Sequence, residues 1–301
     1  MRDWYTHRWN TATALRLILN IIPRVPRPLV PPIGVVTTAV CVCYMRRERA
    51  AARRNLSRIL GTDGWPVHRA VWRLFYNFSR FMVSYCELPH LTPERLRSRL
   101  VADHQDGTPI RDALSRGNGA IALTAHLGNW EAGIRLLALT GTPVSVVMQI
   151  ERSNPSAGML LGLREQDSIR ILDVGEGPDG ILALRAALAR NEIVAMQGDR
   201  FTGGHFLNGE LFGAPFRFPA GPFLFGYGCR APIIPAFVVQ EGWWRWRREI
   251  CAPVQFPRTG NRDADLSAGV AQYAAHLERV VRRYPDQWFN FFDLWLGAEN
   301  R

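Results

Sequence analysis

The chain has 301 residues, 47% of them hydrophobic and 21% charged, a balance that excludes a disordered polymer and can bury a substantial core. All 37 basic residues are arginine, against 26 acids, for a net charge of +11. Lysine chemistry is therefore excluded, and the charge implies an anionic partner, either nucleic acid or a membrane surface. The five cysteines, Cys41, Cys43, Cys86, Cys229 and Cys251, are odd in number and lack metal-ligand spacing, which favours reduced thiols over a disulfide framework. His7, His68, His90, His104 and His276 are scattered and make no metal set.

Trp4, Tyr5 and Trp9 precede an apolar set at 15–22 interleaved with arginines, then a proline-rich connector and a second apolar stretch at 33–45. Neither stretch reaches the roughly 20 uninterrupted residues of a spanning helix. The basic run Arg46, Arg47, Arg49, Arg53, Arg54 follows where a secretory cleavage site would need small residues. Short apolar segments flanked by arginine and tryptophan suit helices lying in a membrane interface, with the basic run against anionic headgroups. An ordinary amphipathic helix pair covering the core is the other reading.

Residues 67–87 have helical spacing and an aromatic stripe of Trp72, Phe75, Tyr76, Phe78, Phe81 and Tyr85, more often core than a binding device. A helix start at Thr92-Pro93-Glu94 opens 91–100, and 106–118 is a short helix and turn. Strands are then expected at 120–123, 144–150, 169–174 and 193–196, alternating with helices at 132–139, 158–166 and 180–190. That order predicts an α/β fold with a central, mostly parallel mixed sheet flanked by helices. Residues 203–222, rich in Gly, Pro and Phe, read as loop. A strand pair at 233–240 and 243–254, turning at Glu241-Gly242, precedes a closing helix at 266–283. The economical organisation is a membrane-interface helical extension, 1–60, belonging to the same domain as the α/β body, 61–301.

His126 stands where the apolar run 120–123 gives way to a helix, just beyond a strand's carboxyl end, where open α/β sheets bind ligands. Glu131 follows five positions later. On a continuous helix the two would point about 140° apart, but with His126 on the turn the carboxylate can fold back onto the imidazole. Glu131 would then fix the tautomer, leaving the other ring nitrogen to take a proton. No GxSxG elbow exists, and no serine or cysteine adjoins the pair. The nucleophile is then a substrate hydroxyl, and the reaction is group transfer. Taken alone, the pair also fits a satisfied structural histidine.

With its neighbours the motif says more. His126-x-x-Asn129-Trp130-Glu131 resembles the signature of the bacterial lipid A late acyltransferases, part of the lysophospholipid acyltransferase superfamily that includes glycolipid and phosphatidylinositol mannoside acyltransferases. Arg53-Arg54-Asn55-Leu56, the segment from Glu151 to Pro155, Gly198-Asp199-Arg200, Phe218-Pro219-Ala220-Gly221-Pro222 and the Tyr284-Pro285-Asp286-Gln287-Trp288 tail resemble further segments of that family. The resemblance spans about 10–296. It departs at the tail, which continues Phe289-Asn290-Phe291-Phe292-Asp293-Leu294-Trp295 in place of a tryptophan and basic cluster. The acceptor is accordingly open between an acylated mannoside, an ornithine lipid and a polyketide-type alcohol.

The resemblance implies a membrane-associated enzyme at the cytoplasmic face of the inner membrane, peripheral or monotopic, with no bound cofactor or metal and no nucleic acid partner. It implies direct acyl transfer from acyl-CoA or acyl-carrier protein to a (glyco)lipid hydroxyl that His126 deprotonates. Oxyanion donors are expected among backbone amides near Gly128 or Gly221. Asn129, Arg152, Arg164, Asp199, Arg200, Arg217 and Gly221 are the expected substrate contacts, the arginines facing donor phosphates. Asp199 has two other readings, support for the histidine or a pairing with Arg200. Phe201, Phe206, Phe212, Phe216, Phe218 and Phe223 either line an acyl channel or fill the core, and His205 is a loop residue. Two other functions compete. One is hydrolysis of acyl thioesters by the same pair. The other is nucleic-acid binding through the basic charge and Trp243, Trp244 and Trp246 beside arginines.

Overall fold

Apolar runs become strands and amphipathic runs become helices in a computed structural model that describes residues 19–101, 107–148, 169–175, 178–201 and 203–295. The helix expected at 158–166 lies outside the described residues. Three helices lead, Val30–Tyr44 (α1), Arg46–Leu60 (α2) and Trp65–Glu87 (α3), followed by the short Pro93–Ser98 (α4) and Thr108–Leu114 (α5). The sheet segment then alternates Ala120–Thr124 (β1), Trp130–Ala138 (α6), Val144–Met148 (β2), Arg170–Asp173 (β3), Asp179–Ala189 (α7) and Ile193–Gln197 (β4). Phe206–Leu211 (β5), Ala214–Pro219 (β6), Gly221–Gly228 (α8), Ile233–Gln240 (β7), Trp246–Ile250 (β8) and Arg262–Arg283 (α9) complete the order.

Six strands form one sheet in the order β3-β2-β4-β1-β7-β8. Its pairs are parallel except β7 with β8, which is antiparallel and sits at an edge. The fold class is thus the expected mixed, mostly parallel α/β sheet. Alternation along each strand divides the core in two. Ala120, Ala122, Val144, Val146, Ile193, Ala195 and Ile234 face α5 and α6 through Ile110, Ala113 and Ile134. Ile121, Leu123, Val194, Met196, Ile233 and Val239 face the other way, with Leu184 of α7, Phe223 of α8 and Val270, Tyr273 and Leu277 of α9. Both faces are covered, as a parallel sheet requires.

Two segments differ from expectation. Residues 203–222 are not all loop, because Phe206–Leu211 and Ala214–Pro219 pair antiparallel. The alternation of buried Ala214, Phe216 and Phe218 is the strand signal beneath the Gly and Pro content. Phe212 and Gly213, at φ 53° and 70°, make the connection in a left-handed conformation suited to a two-residue hairpin. The second correction concerns β8, which starts at Trp246 rather than 243. Trp243 and Trp244 leave the ladder for α3, donating to the Tyr76 hydroxyl at 3.2 Å and to Glu87 at 3.1 Å.

The N-terminal helices pack on one another and on the chain's end. Helix α1 lays Val30, Gly34 and Thr38 inward at i, i+4 spacing and packs against α3; a Cβ at Gly34 would strike the Trp243 ring. Its opposite face is exposed, with Ile33, Val35, Val36 and Val40 between 46% and 62%, while Cys41 and Val42 pack partly against the core. Among the described residues, Arg27–Tyr44 is the one helical stretch long and apolar enough to cross a membrane, and only 17% of it is buried.

Candidate active site

The site follows from strand register. In the adjacent parallel strands β1 and β4, Thr124 stands opposite Gln197. Two residues beyond those partners come His126 and Asp199, brought side by side at the carboxyl edge of the sheet. The Gly198 N–H, donating to the Thr124 carbonyl at 2.9 Å, carries the ladder one step further. Asp199 is fully buried and accepts three hydrogen bonds. Oδ1 faces His126 Nδ1 at 2.9 Å, while Oδ2 takes the His126 backbone N–H at 3.0 Å and the Trp288 indole N–H at 2.8 Å. An ionised carboxylate only accepts, so Nδ1 carries the proton and Nε2 keeps its lone pair.

Electrostatics keep that arrangement. Burial, joined by the Arg200 charge, lowers the His126 pKa below its ordinary 6.5 against the pull of Asp199 and Glu131, so the imidazole is neutral at pH 7. Burial works against the Asp199 charge, but His126, Arg200 and the Trp288 donor outweigh it and lower its pKa. Arg200 is brought down to about 10 by burial, Asp199 opposing, and stays charged. Its Nε donates to Asn290 Oδ1 at 2.7 Å, a second nitrogen donates to the Phe289 carbonyl, and the guanidinium lies 5.3 Å from the Phe292 ring centroid.

The turn carrying His126 is stitched on both sides. The Gly128 N–H donates to the Gln287 carbonyl at 2.8 Å, Asn129 N–H to Val238 at 2.6 Å, and Phe289 N–H to His126 at 2.8 Å. Gly128 has φ +64°, and a Cβ there would collide with the Val238 carbonyl, so this crossing requires glycine. With its N–H on Gln287, Gly128 is not the oxyanion donor expected from sequence.

Other expectations change with the geometry. The carboxylate on the His126 Nδ1 is Asp199, from a strand end 73 positions away, and not Glu131. Glu131 is buried in the first turn of α6 and accepts from its neighbour's indole, Trp130 Nε1, at 3.1 Å; its charge still reaches His126. Asn129 is buried and caps α6, accepting from Ala132 N at 3.0 Å and donating to Ser84 at 2.7 Å. Those contacts make it the N-cap of α6. Arg217 lies over the Phe206 ring at 4.7 Å, and Gly221 opens α8 beside Met196. Arg152 and Arg164 lie outside the described residues.

Of the two readings of the phenylalanines, the structure gives core for Phe212, Phe216, Phe218 and Phe223, the last two edge-on to Tyr273, while Phe201 and Phe206 pack edge-on to each other. The aromatic wall at the histidine is another set. Trp130 sits 5.3 Å from the His126 ring, Phe81 4.3 Å from Trp130, and Phe289 6.3 Å from Trp130. Sequence reasoning missed Trp288 and Asn290 as partners of Asp199 and Arg200. Their signal was the tail motif itself, whose purpose only the fold displays. Among the described residues no group of three or more His, Cys, Asp or Glu is placed to hold a metal.

A neutral, oriented imidazole beside a buried carboxylate can accept a proton from a bound hydroxyl and return it to a leaving group. Residues 4–297 match the family described as bacterial lipid A biosynthesis acyltransferase. The chain is similar to the phosphatidylinositol mannoside acyltransferase of Mycobacterium tuberculosis strain H37Rv, 25% identical over 257 residues that cover 81% of this chain and 76% of that protein. The same enzyme from strain CDC 1551 aligns over the same extent. With nearly its whole length matched, this chain belongs to the bacterial lipid A biosynthesis acyltransferase family and is an acyltransferase.

Proposed function

We propose that the enzyme transfers a fatty acyl chain from acyl-CoA or acyl-carrier protein to a sugar hydroxyl of a membrane glycolipid, with His126 as general base. The observation carrying this reading is the His126–Asp199 contact of 2.9 Å at neighbouring strand ends. It holds Nδ1 as donor and leaves Nε2 as acceptor. Nε2 removes the acceptor's hydroxyl proton as the oxygen attacks the thioester carbonyl. The tetrahedral intermediate then collapses, the C–S bond breaks, and the imidazolium returns the proton to the departing thiolate. Asp199 stabilises the imidazolium while it exists, and the half-buried Arg200 charge favours negative charge developing nearby.

The acceptor class is supported by the mannoside acyltransferases similar to this chain. A membrane location is supported by the exposed apolar face of α1 and by the basic helix α2 beside it, where Arg46 and Arg47 are exposed. Such a helix, lying flat, buries its apolar side in the interface while arginines meet anionic headgroups. Both proposed donors are cytoplasmic, which sets the reaction on the inner face of the inner membrane.

The test is thiol release from palmitoyl-CoA by purified enzyme, with and without a total lipid extract, followed by mass spectrometry of the lipids. Release that requires the extract and yields an acylated glycolipid is the expected result. Equal release without lipid would identify a thioester hydrolase. No release from either palmitoyl-CoA or palmitoyl-carrier protein would refute the donor assignment.

A further inference from the structure

The C-terminal stretch 284–294 is a strap across the molecule, and its contacts converge on the catalytic pair. Asn55 of α2 donates to the Asn290 and Phe292 carbonyls and accepts from Leu294 N–H. Asn77 of α3 donates to the Asp286 carbonyl, and Gln287 exchanges two hydrogen bonds with Gln240 of β7. Held at those points, the strap returns to the site at successive residues. Gln287 receives the Gly128 N–H, Phe289 donates to the His126 carbonyl, and Asn290 takes Arg200. Between them Trp288, only 3% exposed, aims its indole N–H at Asp199 Oδ2.

We propose that Trp288 is a positioning residue of the catalytic pair. Its indole N–H fixes the Asp199 carboxylate facing His126 Nδ1 and limits how strongly that carboxylate draws on the Nδ1 proton. This rests on the general-base reading above and adds to it a control on the basicity of the base. Among the described residues, the donor to Asp199 that is not part of His126 is the indole. Without it the carboxylate charge is less dispersed, the Nδ1–H···Oδ1 bond tightens, and the imidazole becomes more basic. The carboxylate also gains freedom to turn away, which misaligns Nε2. A tryptophan present only for packing against Phe212 and Trp295 would do neither.

Among the described residues, the other charged and titratable groups facing the pair are Arg200 beside Asp199, Glu131 from α6, and Tyr273 from α9, whose hydroxyl donates to the Thr124 carbonyl. Cys251 lies behind Tyr273, next to Arg279. Arg200 titrates near 10, the Cys251 thiol is pushed up to about 11, and burial raises Tyr273 further. The ring titration of His126, read at the imidazole itself, is therefore the signal that separates its change from those of its neighbours.

The experiment compares wild type with Trp288→Phe, and with a variant carrying benzothienylalanine at 288, which keeps the ring shape and replaces N–H with sulfur. Two readouts are taken. One is the pH dependence of kcat and KM with palmitoyl-CoA and lipid extract. The other is the ring titration of His126 in 15N-histidine-labelled enzyme, assigned by its loss in His126→Ala. Expected are a kcat lowered about tenfold, as for one charge-assisted hydrogen bond, a KM within about twofold, and both pH midpoints moved upward by about half a unit. Midpoints that stay in place or move downward would overturn the proposal. If Trp288→Phe does not fold, the benzothienyl variant decides by the same criteria. Should wild type transfer nothing from palmitoyl-CoA, the donor assignment fails while the ring titration still judges Trp288.

Discussion

The carboxyl edge of the sheet and the outer face of α1 are opposites. At the edge, Asp199 is fully buried and its carboxylate is matched by three donors, two of them on the residue it serves. On α1, Val36 and Val40 are 62% and 50% exposed, and other aliphatic side chains lie bare around them. The difference teaches that the protein completes its chemistry by itself but not its surface. A buried charge is tolerated only when paired and hydrogen-bonded, and the fold supplies those partners to Asp199 from its own residues. An exposed apolar helix face instead calls for a partner, and for this enzyme we assign that partner as lipid.

Variants can break either half of this contrast. His126→Ala should abolish acyl transfer, a loss of at least about a thousandfold, with circular dichroism and vesicle recovery unchanged. Asp199→Asn should lower kcat about a hundredfold or more by favouring the wrong tautomer. Glu131→Gln should cost about tenfold, because it removes a nearby charge and not the Nδ1 acceptor. Equal losses in a steady-state assay would restore Glu131 as the orienting acid.

The pH dependence sharpens the same point. His126 must be neutral to act, and burial with Arg200 lowers its pKa. Activity should therefore hold as pH falls through 6.5 and be lost only below it. An acid limb with its midpoint above 6.5 in a kcat/KM profile would contradict that lowering. Smaller still, Asn55→Ala should destabilise the fold by about 1–3 kcal/mol through the lost strap contacts, read as a lowered denaturation midpoint. Val36→Asp with Val40→Asp should reduce partition into anionic vesicles about tenfold or more, with the His126 ring titration unaltered.

Much of this was legible in the sequence, and the rest was hidden for physical reasons. Near-continuous apolar runs gave β1, β2, β4 and β7 close to their observed bounds, because a strand buried on both faces carries few polar residues, Ser145 of β2 being one. His126 was legible because a histidine after such a run stands at a strand's carboxyl end. Its acid was legible only as one of three readings of Asp199, with Glu131 preferred, since parallel neighbours are joined through long crossovers and strand order decides which carboxylate lies alongside. Glu131 was the near acid in sequence, and Asp199 became the near acid in space only once β4 lay next to β1. The capping role of Asn129 was not read for a related reason, as a side-chain amide after a turn caps a helix as readily as it meets a substrate. The β5–β6 hairpin was masked by its Gly and Pro content, and its turn uses Phe212-Gly213 instead of the familiar Asn-Gly.

The central claim is that His126, held by Asp199, is the base for acyl transfer to a membrane lipid. The most direct test is the single-turnover rate of radiolabelled palmitoyl transfer from palmitoyl-CoA into extracted glycolipid, measured for wild type, His126→Ala and Asp199→Asn in identical vesicles. The account predicts transfer by wild type, none by His126→Ala and a small residual rate for Asp199→Asn. A wild-type rate in folded His126→Ala would contradict it.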